Sequence, residues 1–249
     1  MPRLRAGAIV LSLVLASTAV CAQEIDKCAA KPEQLELGVP LKRTREGVLQ
    51  RKELRIVAIG SSSTQGYGAS SPFNSYPAEL LRVLSKRLEG VSVHIANKGV
   101  GGQEVKDMVD RIERDVAPEK PDLVIWQAGT NAAIRNHNLG EFKRQLTKGI
   151  GLYKAMPSDL VLMTPQYAPA MVSLSNEDDY IGAMEEAARE NNVGLFRRWQ
   201  IMRYWLQEER MPFAHFLGAD GLHLNDFGYR CIGRIFARAL LRAVKEAKE

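Results

Sequence analysis

Four short segments of the 249-residue sequence hold residue types that could act together on an electrophilic carbonyl. They are Gly60-Ser61-Ser62-Ser63-Thr64-Gln65-Gly66, Asn97-Lys98-Gly99-Val100-Gly101-Gly102, Gly129-Thr130-Asn131 and Asp220-Gly221-Leu222-His223. The first offers serine hydroxyls on a glycine-bounded turn. A hydroxyl is a weak nucleophile until a base takes its proton. The fourth supplies an imidazole with a carboxylate three residues before it, the pair that orients and polarises such a base. The second is glycine-rich backbone whose N–H groups can approach a ligand closely, and Asn131 adds a side-chain amide donor. Donors aimed at one point are what a tetrahedral oxyanion requires.

These segments need elements to bring them together, and the sequence supplies a regular alternation. Short Val- and Ile-rich runs at 54–59, 91–96, 122–127, 160–164 and 193–196 read as strands. Amphipathic helical patterns lie between and after them, at 76–88, 104–116, 139–155, 178–190 and 227–247. Strand–helix alternation of this length implies parallel strands joined by right-handed crossovers. The expected fold is a three-layer α/β/α sandwich around a five-stranded parallel sheet, order 2-1-3-4-5. Ligands in such sheets bind beyond the carboxyl ends of the strands, where the order reverses. The first three segments each follow one of the first three strands, so they converge there. The fourth immediately precedes the last helix.

The four segments, in this order, resemble the four blocks of the SGNH (GDSL-like) hydrolases. The resemblance implies Ser62 as the nucleophile, with Thr64 and Gly66 setting the register against Ser61 and Ser63. It implies His223 as general base and Asp220 as its orienting partner. It also implies an oxyanion hole from the Ser62 and Gly102 backbone N–H groups and the Asn131 side chain. Two positions depart from the family pattern, because Ser61 and Ala132 stand where the family has Asp. On this reading the chain is a serine esterase that hydrolyses a short acyl ester, O-acetyl on a carbohydrate, through an acyl-enzyme. Three other readings stay open: an acyltransferase acting on a periplasmic glycan, a lysophospholipase or thioesterase, and a glycan-binding module on a degenerate hydrolase fold.

Residues beyond the four segments are less informative. Arg135, just after Asn131, and Tyr167, after the fourth strand, are expected at the substrate rim. Arg197 and Arg198 are expected in structural ion pairs. His94 lies inside a strand, His137 in the loop that follows Asn131, and His215 reads as structural. The sequence has no HExxH, acidic cluster or paired histidines at helical spacing, so no metal is expected. The glycine segments complete neither a dinucleotide fingerprint nor a P-loop, and no cofactor is expected. The formal charge of +5 is mild and the basic residues form no dense block, which argues against nucleic acid as a partner.

The N-terminus reads as an export signal. Arg3 and Arg5 precede an uncharged stretch, 6–22, whose apolar centre is too short to span a bilayer comfortably. Small residues at Val20 and Ala22 suit cleavage before Gln23. The competing readings are a retained anchor and, through Cys21, a lipoprotein signal. Cleavage leaves 227 residues of net charge +3, with no remaining membrane span. The domain layout is then a signal at 1–22, an N-terminal arm at 23–52 and a catalytic domain at 53–249, in a periplasmic or secreted protein. Cys28 and Cys231 remain as an even pair in an oxidising compartment, so they are expected to join the arm to the last helix.

Overall fold

The computed structural model describes residues 28–246, so the expected signal at 1–22 lies outside the described residues. In chain order the main elements are β1 (Glu53–Gly60), α1 (Ser62–Gln65), α2 (Tyr76–Arg87), β2 (Ser92–Gly99), α3 (Val105–Val109), α4 (Ile112–Asp115) and β3 (Leu123–Gln127). They continue with α5 (Thr130–Ile134), α6 (Leu139–Lys154), β4 (Asp159–Met163), α7 (Glu177–Asn191), β5 (Gly194–Phe196), α8 (Arg198–Gln207) and α9 (Asp226–Glu246). The five strands form one sheet in the order β2-β1-β3-β4-β5, and every pairing is parallel. This is the expected three-layer sandwich.

A sheet covered on both faces needs strands that are apolar on both faces. In β1, Leu54, Ile56 and Ala58 face the layer containing α2 and α9, while Val57 and Ile59 face the layer containing α6 and α7. In β3, Leu123 and Ile125 face the first layer and Val124 and Trp126 the second. That alternation is the period of two inherent in a strand. It explains why both strands read as continuous apolar runs.

Two departures from the sequence reading have physical causes. β2 runs three residues past its apolar segment, because Asn97, Lys98 and Gly99 stay in register with Ala58, Ile59 and Gly60. A polar continuation was possible because β2 is the edge strand and its residues are only part-buried or exposed. The single helix expected at 104–116 is instead α3 and α4, with Arg111 leaving helical geometry between them (φ −116°, ψ 9°). The Arg111 guanidinium is buried and turns inward, donating to the carbonyls of Lys98 (2.7 Å) and Gly60 (3.4 Å) and to Gln103 Oε1 (2.7 Å). Satisfying these groups at the strand ends costs the helix its continuity.

Residues 28–52 lie against the sheet. Leu37, Leu41 and Val48 are buried, and Thr44 donates through both N–H and Oγ1 to Asp159 Oδ2, each at 2.8 Å. The Leu195 N–H donates to the Leu37 carbonyl (2.9 Å). Cys28 and Cys231 form a disulfide with Cα atoms 4.8 Å apart, which connects this segment to α9. Among the described residues no helix is long and apolar enough to cross a membrane.

Candidate active site

The β1 strand ends at Gly60 and the chain turns at once into α1, whose first residue is Ser62. Of the three serines in this turn, Ser61 and Ser63 are buried and Ser62 is part-exposed. The buried hydroxyls have structural partners. The Ser61 N–H and Oγ both donate to Gln127 Oε1, at 2.9 and 3.1 Å, and Thr64 Oγ1 donates to the same oxygen at 3.2 Å. A glutamine at the end of β3 thus holds the turn in which the resembled family has an aspartate.

Ser62 Oγ lies 2.7 Å from His223 Nε2, and His223 Nδ1 lies 2.6 Å from Asp220 Oδ2. Asp220 also accepts backbone N–H groups from Leu222 (3.0 Å) and His223 (2.9 Å) through Oδ1. Burial pushes the Asp220 carboxyl up. The imidazole hydrogen bond and the two backbone N–H donors outweigh burial and hold it below the usual carboxylate range. An ionised Asp220 can only accept, so the proton sits on Nδ1 and Nε2 is free to accept from the Ser62 hydroxyl. That is the arrangement a general base needs.

The second segment lies beside this pair. A Cβ placed on Gly101 would sit 3.9 Å from Ser62 Cβ. Gly99 packs so closely on α1 that its own Cβ would fall 2.0 Å from the Gln65 nitrogen, so no other residue fits there. Gln65 Oε1 accepts from the Gly101 N–H (3.0 Å), and Asn97 Nδ2 donates to the Thr64 carbonyl (2.8 Å). Asn131, in α5, donates through Nδ2 to the Gln103 carbonyl at 2.8 Å. That bond fixes the amide next to Gly102 and leaves its second N–H for another acceptor.

Arg135 donates to the Gly102 carbonyl (3.0 Å) and is ion-paired with Glu104, which also meets His137 Nδ1 at 2.5 Å. Arg135 is about half-exposed beside the glycine loop. Tyr167 is part-buried between Trp199 and Phe213, with ring centroids at 4.8 and 5.9 Å, so packing accounts for most of its surface. Arg198 is not in the expected ion pair. It is fully buried and donates to neutral oxygens, the Thr164 carbonyl (3.0 Å) and Gln166 Oε1 (2.8 Å). Arg197 donates to the Glu36 carbonyl (3.0 Å).

Sequence reasoning missed three residues that organise this region. Gln127 anchors the nucleophile turn. Gln166 accepts from Ser63 Oγ (3.4 Å) and Thr130 Oγ1 (3.1 Å) and donates to the Leu222 carbonyl (3.3 Å), so it touches three of the four segments. Tyr67 is exposed and packs on the His223 imidazole with ring centroids 4.6 Å apart. A glutamine closing an apolar strand and an aromatic between two glycines were the available signals. Cavities of about 820 Å³, between α2 and α9, and about 380 Å³, lined by Glu104 and His137, contain none of Ser62, Asp220 and His223. Among the described residues no cluster of three or more His, Cys, Asp or Glu could hold a metal.

Comparison with known proteins agrees with this architecture. Residues 27–246 match the Non-GDSL lipase-like family. An acetylxylan esterase from Geobacillus stearothermophilus is 25% identical over 199 residues, covering 74% of this chain and 90% of that protein. A lipase/acylhydrolase from Enterococcus faecalis has a similar structure, with TM-score 0.64 and 26% identity over 74% of this chain and 94% of its own. A two-domain esterase active on acetylated mannans superposes with TM-score 0.71 at 19% identity, covering 89% of this chain. The match spans 59% of that longer protein, and at this identity it speaks for the fold.

Proposed function

The chain belongs to the Non-GDSL lipase-like family, within the SGNH (GDSL-like) hydrolases, and on that footing we propose that it is an exported carbohydrate acetyl esterase acting through Ser62, His223 and Asp220. The observation that carries the mechanism is the unbroken hydrogen-bond chain from Ser62 Oγ to His223 to Asp220, at 2.7 and 2.6 Å. His223 Nε2 takes the hydroxyl proton as Ser62 Oγ adds to the ester carbonyl. The negative charge that develops on the carbonyl oxygen is met by the N–H groups of Ser62, Gly102 and Asn131. His223 then gives its proton to the departing alcohol oxygen, leaving an acyl group on Ser62. Water, deprotonated by the same imidazole, releases the acid and restores the serine. Asp220 stays ionised and stabilises the imidazolium in both halves.

The acetylxylan esterase among its relatives supports the substrate class, as does the polar rim of Arg135, Glu104 and His137. Export follows from the charge pattern of residues 1–22, and cleavage there would leave the disulfide-bearing segment in an oxidising compartment. The test is acetate release from acetylated xylo-oligosaccharides by the wild type and by Ser62→Ala. Release by the wild type alone supports the reading. Equal release by both removes Ser62 from the reaction, and release by neither removes this substrate.

A further inference from the structure

We propose that Tyr67 is the floor of a sugar subsite, on which a pyranose ring of the substrate's alcohol half stacks beside His223. This deepens the carbohydrate-ester reading and rests on it.

Direction comes from the chemistry. The group that protonates the leaving alcohol is His223, so the alcohol half must lie on the His223 side of Ser62. On the same mechanism the acyl oxygen is held by the Gly102 and Asn131 donors. Tyr67 is on the His223 side, with its ring centroid 4.6 Å from the imidazole and the planes tilted by 57°. The residue is nevertheless 61% exposed, which leaves it open to a ligand.

The platform is also held in place. The Tyr67 N–H donates to the Ser62 carbonyl (2.9 Å), and its carbonyl accepts from the Tyr229 hydroxyl (2.7 Å). Gly66 and Gly68 on either side have φ +98° and +90°, which L side chains rarely adopt. Further along the loop, Asp226 at the start of α9 accepts from the Ser70 N–H (2.8 Å) and from Asn74 Nδ2 (3.0 Å). A backbone fixed before the ligand arrives leaves only the side chain of Tyr67 to be ordered on binding.

Among the described residues, the exposed large apolar side chains are Leu49, Tyr67, Phe73, Val100, Ile134 and Leu152, and of these Tyr67 packs on the His223 imidazole. Polar groups are supplied by Gln65, which accepts from the Gly101 N–H, and by the Arg135–Glu104 pair. A pyranose has apolar C–H faces and hydroxyl edges, and it matches that mixture. The C–H faces meet the electron-rich face of an aromatic ring. An acyl chain would need a continuous apolar trench.

The experiment compares Tyr67→Ala, Tyr67→Phe and Tyr67→Trp on two acetates: an acetylated xylo-oligosaccharide and trifluoroethyl acetate, whose alcohol half has no ring. For Tyr67→Ala, kcat/KM on the glycan should fall about tenfold further than on trifluoroethyl acetate. Tyr67→Phe and Tyr67→Trp should keep the wild-type ratio between the two substrates. Equal losses on both substrates would overturn the proposal, since Tyr67 would then act only through His223. No loss on either would overturn it as well. Wild-type inactivity on the glycan alongside activity on trifluoroethyl acetate would instead defeat the carbohydrate reading, and the subsite with it. Loss confined to long-chain acyl esters would replace the sugar by a lipid and overturn it too.

Discussion

Replacing Gln166 by Leu should uncouple the site while exposing an electrostatic cost that the native chain has covered. Gln166 is 1% exposed and Arg198 is wholly buried. Burial lowers the Arg198 guanidinium to about 10, with the Tyr76 and Tyr229 hydroxyls opposing that shift. Among the described residues no carboxylate pairs with the cation. Its polar contacts are Gln166 Oε1 at 2.8 Å and the Thr164 carbonyl at 3.0 Å, and Nη1 has no hydrogen-bond partner.

Gln166→Leu removes the charged hydrogen bond, worth ~1.5–3 kcal/mol, and the bonds to Thr130, Ser63 and Leu222, worth ~1 kcal/mol each when well formed. Since two of these are long, at 3.3 and 3.4 Å, the sum is about 3–5 kcal/mol, the range for stranding a buried charge. Arg198→Met on top of Gln166→Leu takes the stranded charge away. The double variant should therefore recover about 2 kcal/mol of the loss in urea unfolding. Activity toward 4-nitrophenyl acetate should stay depressed in both variants, because the tie from Ser63 and Thr130 to the His223 loop remains cut. A single variant within about 1 kcal/mol of wild type, or a double variant less stable than the single, would refute this account of the pair.

Other outcomes follow from the same geometry. Asn131→Ala should lower kcat by about a hundredfold or more with KM little changed, and an unaltered kcat would remove Asn131 from the oxyanion site. Opening the Cys28–Cys231 bridge, which spans 203 residues, should cost at most about 5 kcal/mol by loop entropy. Identical urea midpoints with and without reductant, together with alkylation of both thiols in the native protein, would exclude the bridge. Because the folded Asp220 carboxyl is held below its unfolded value of about 3.9, its stabilising contribution is present above that pH and is lost as pH falls below it through the lower folded-state value. The stability gap between wild type and Asp220→Asn should therefore narrow from pH 7 to pH 3 in urea unfolding, and a gap that widens on acidification would contradict the sign.

Much of this was legible because the information is local. Apolar strands, the glycine turns that end them and the Asp220–His223 spacing are all read within a few residues. The expected sheet order and the convergence of the segments followed from connection length and handedness. What escaped was set by partners far along the chain. Arg111 breaks a helix in order to reach carbonyls at Gly60 and Lys98, and nothing in the 104–116 periodicity shows those acceptors. Arg198 read as an ion-pairing arginine, yet its partners are a glutamine and a carbonyl that only the packed β4–β5 end brings together. Ser61, where the family has an aspartate, stands in the sequence as a departure whose replacement is not visible locally. Gln127, 66 residues away, supplies the acceptor from the next strand. Nothing near Tyr67 in the sequence marks it, because the His223 ring that meets it comes from the other end of the chain.

The central claim is that Ser62 is the nucleophile and His223 activates it. Its most direct test is covalent labelling by a fluorophosphonate, with the modified residue located by peptide mass spectrometry. The account predicts a single adduct on Ser62 of the native protein, lost in Ser62→Ala and strongly slowed in His223→Ala. An adduct on Ser61 or Ser63, or labelling of Ser62 at an unchanged rate in His223→Ala, would contradict it.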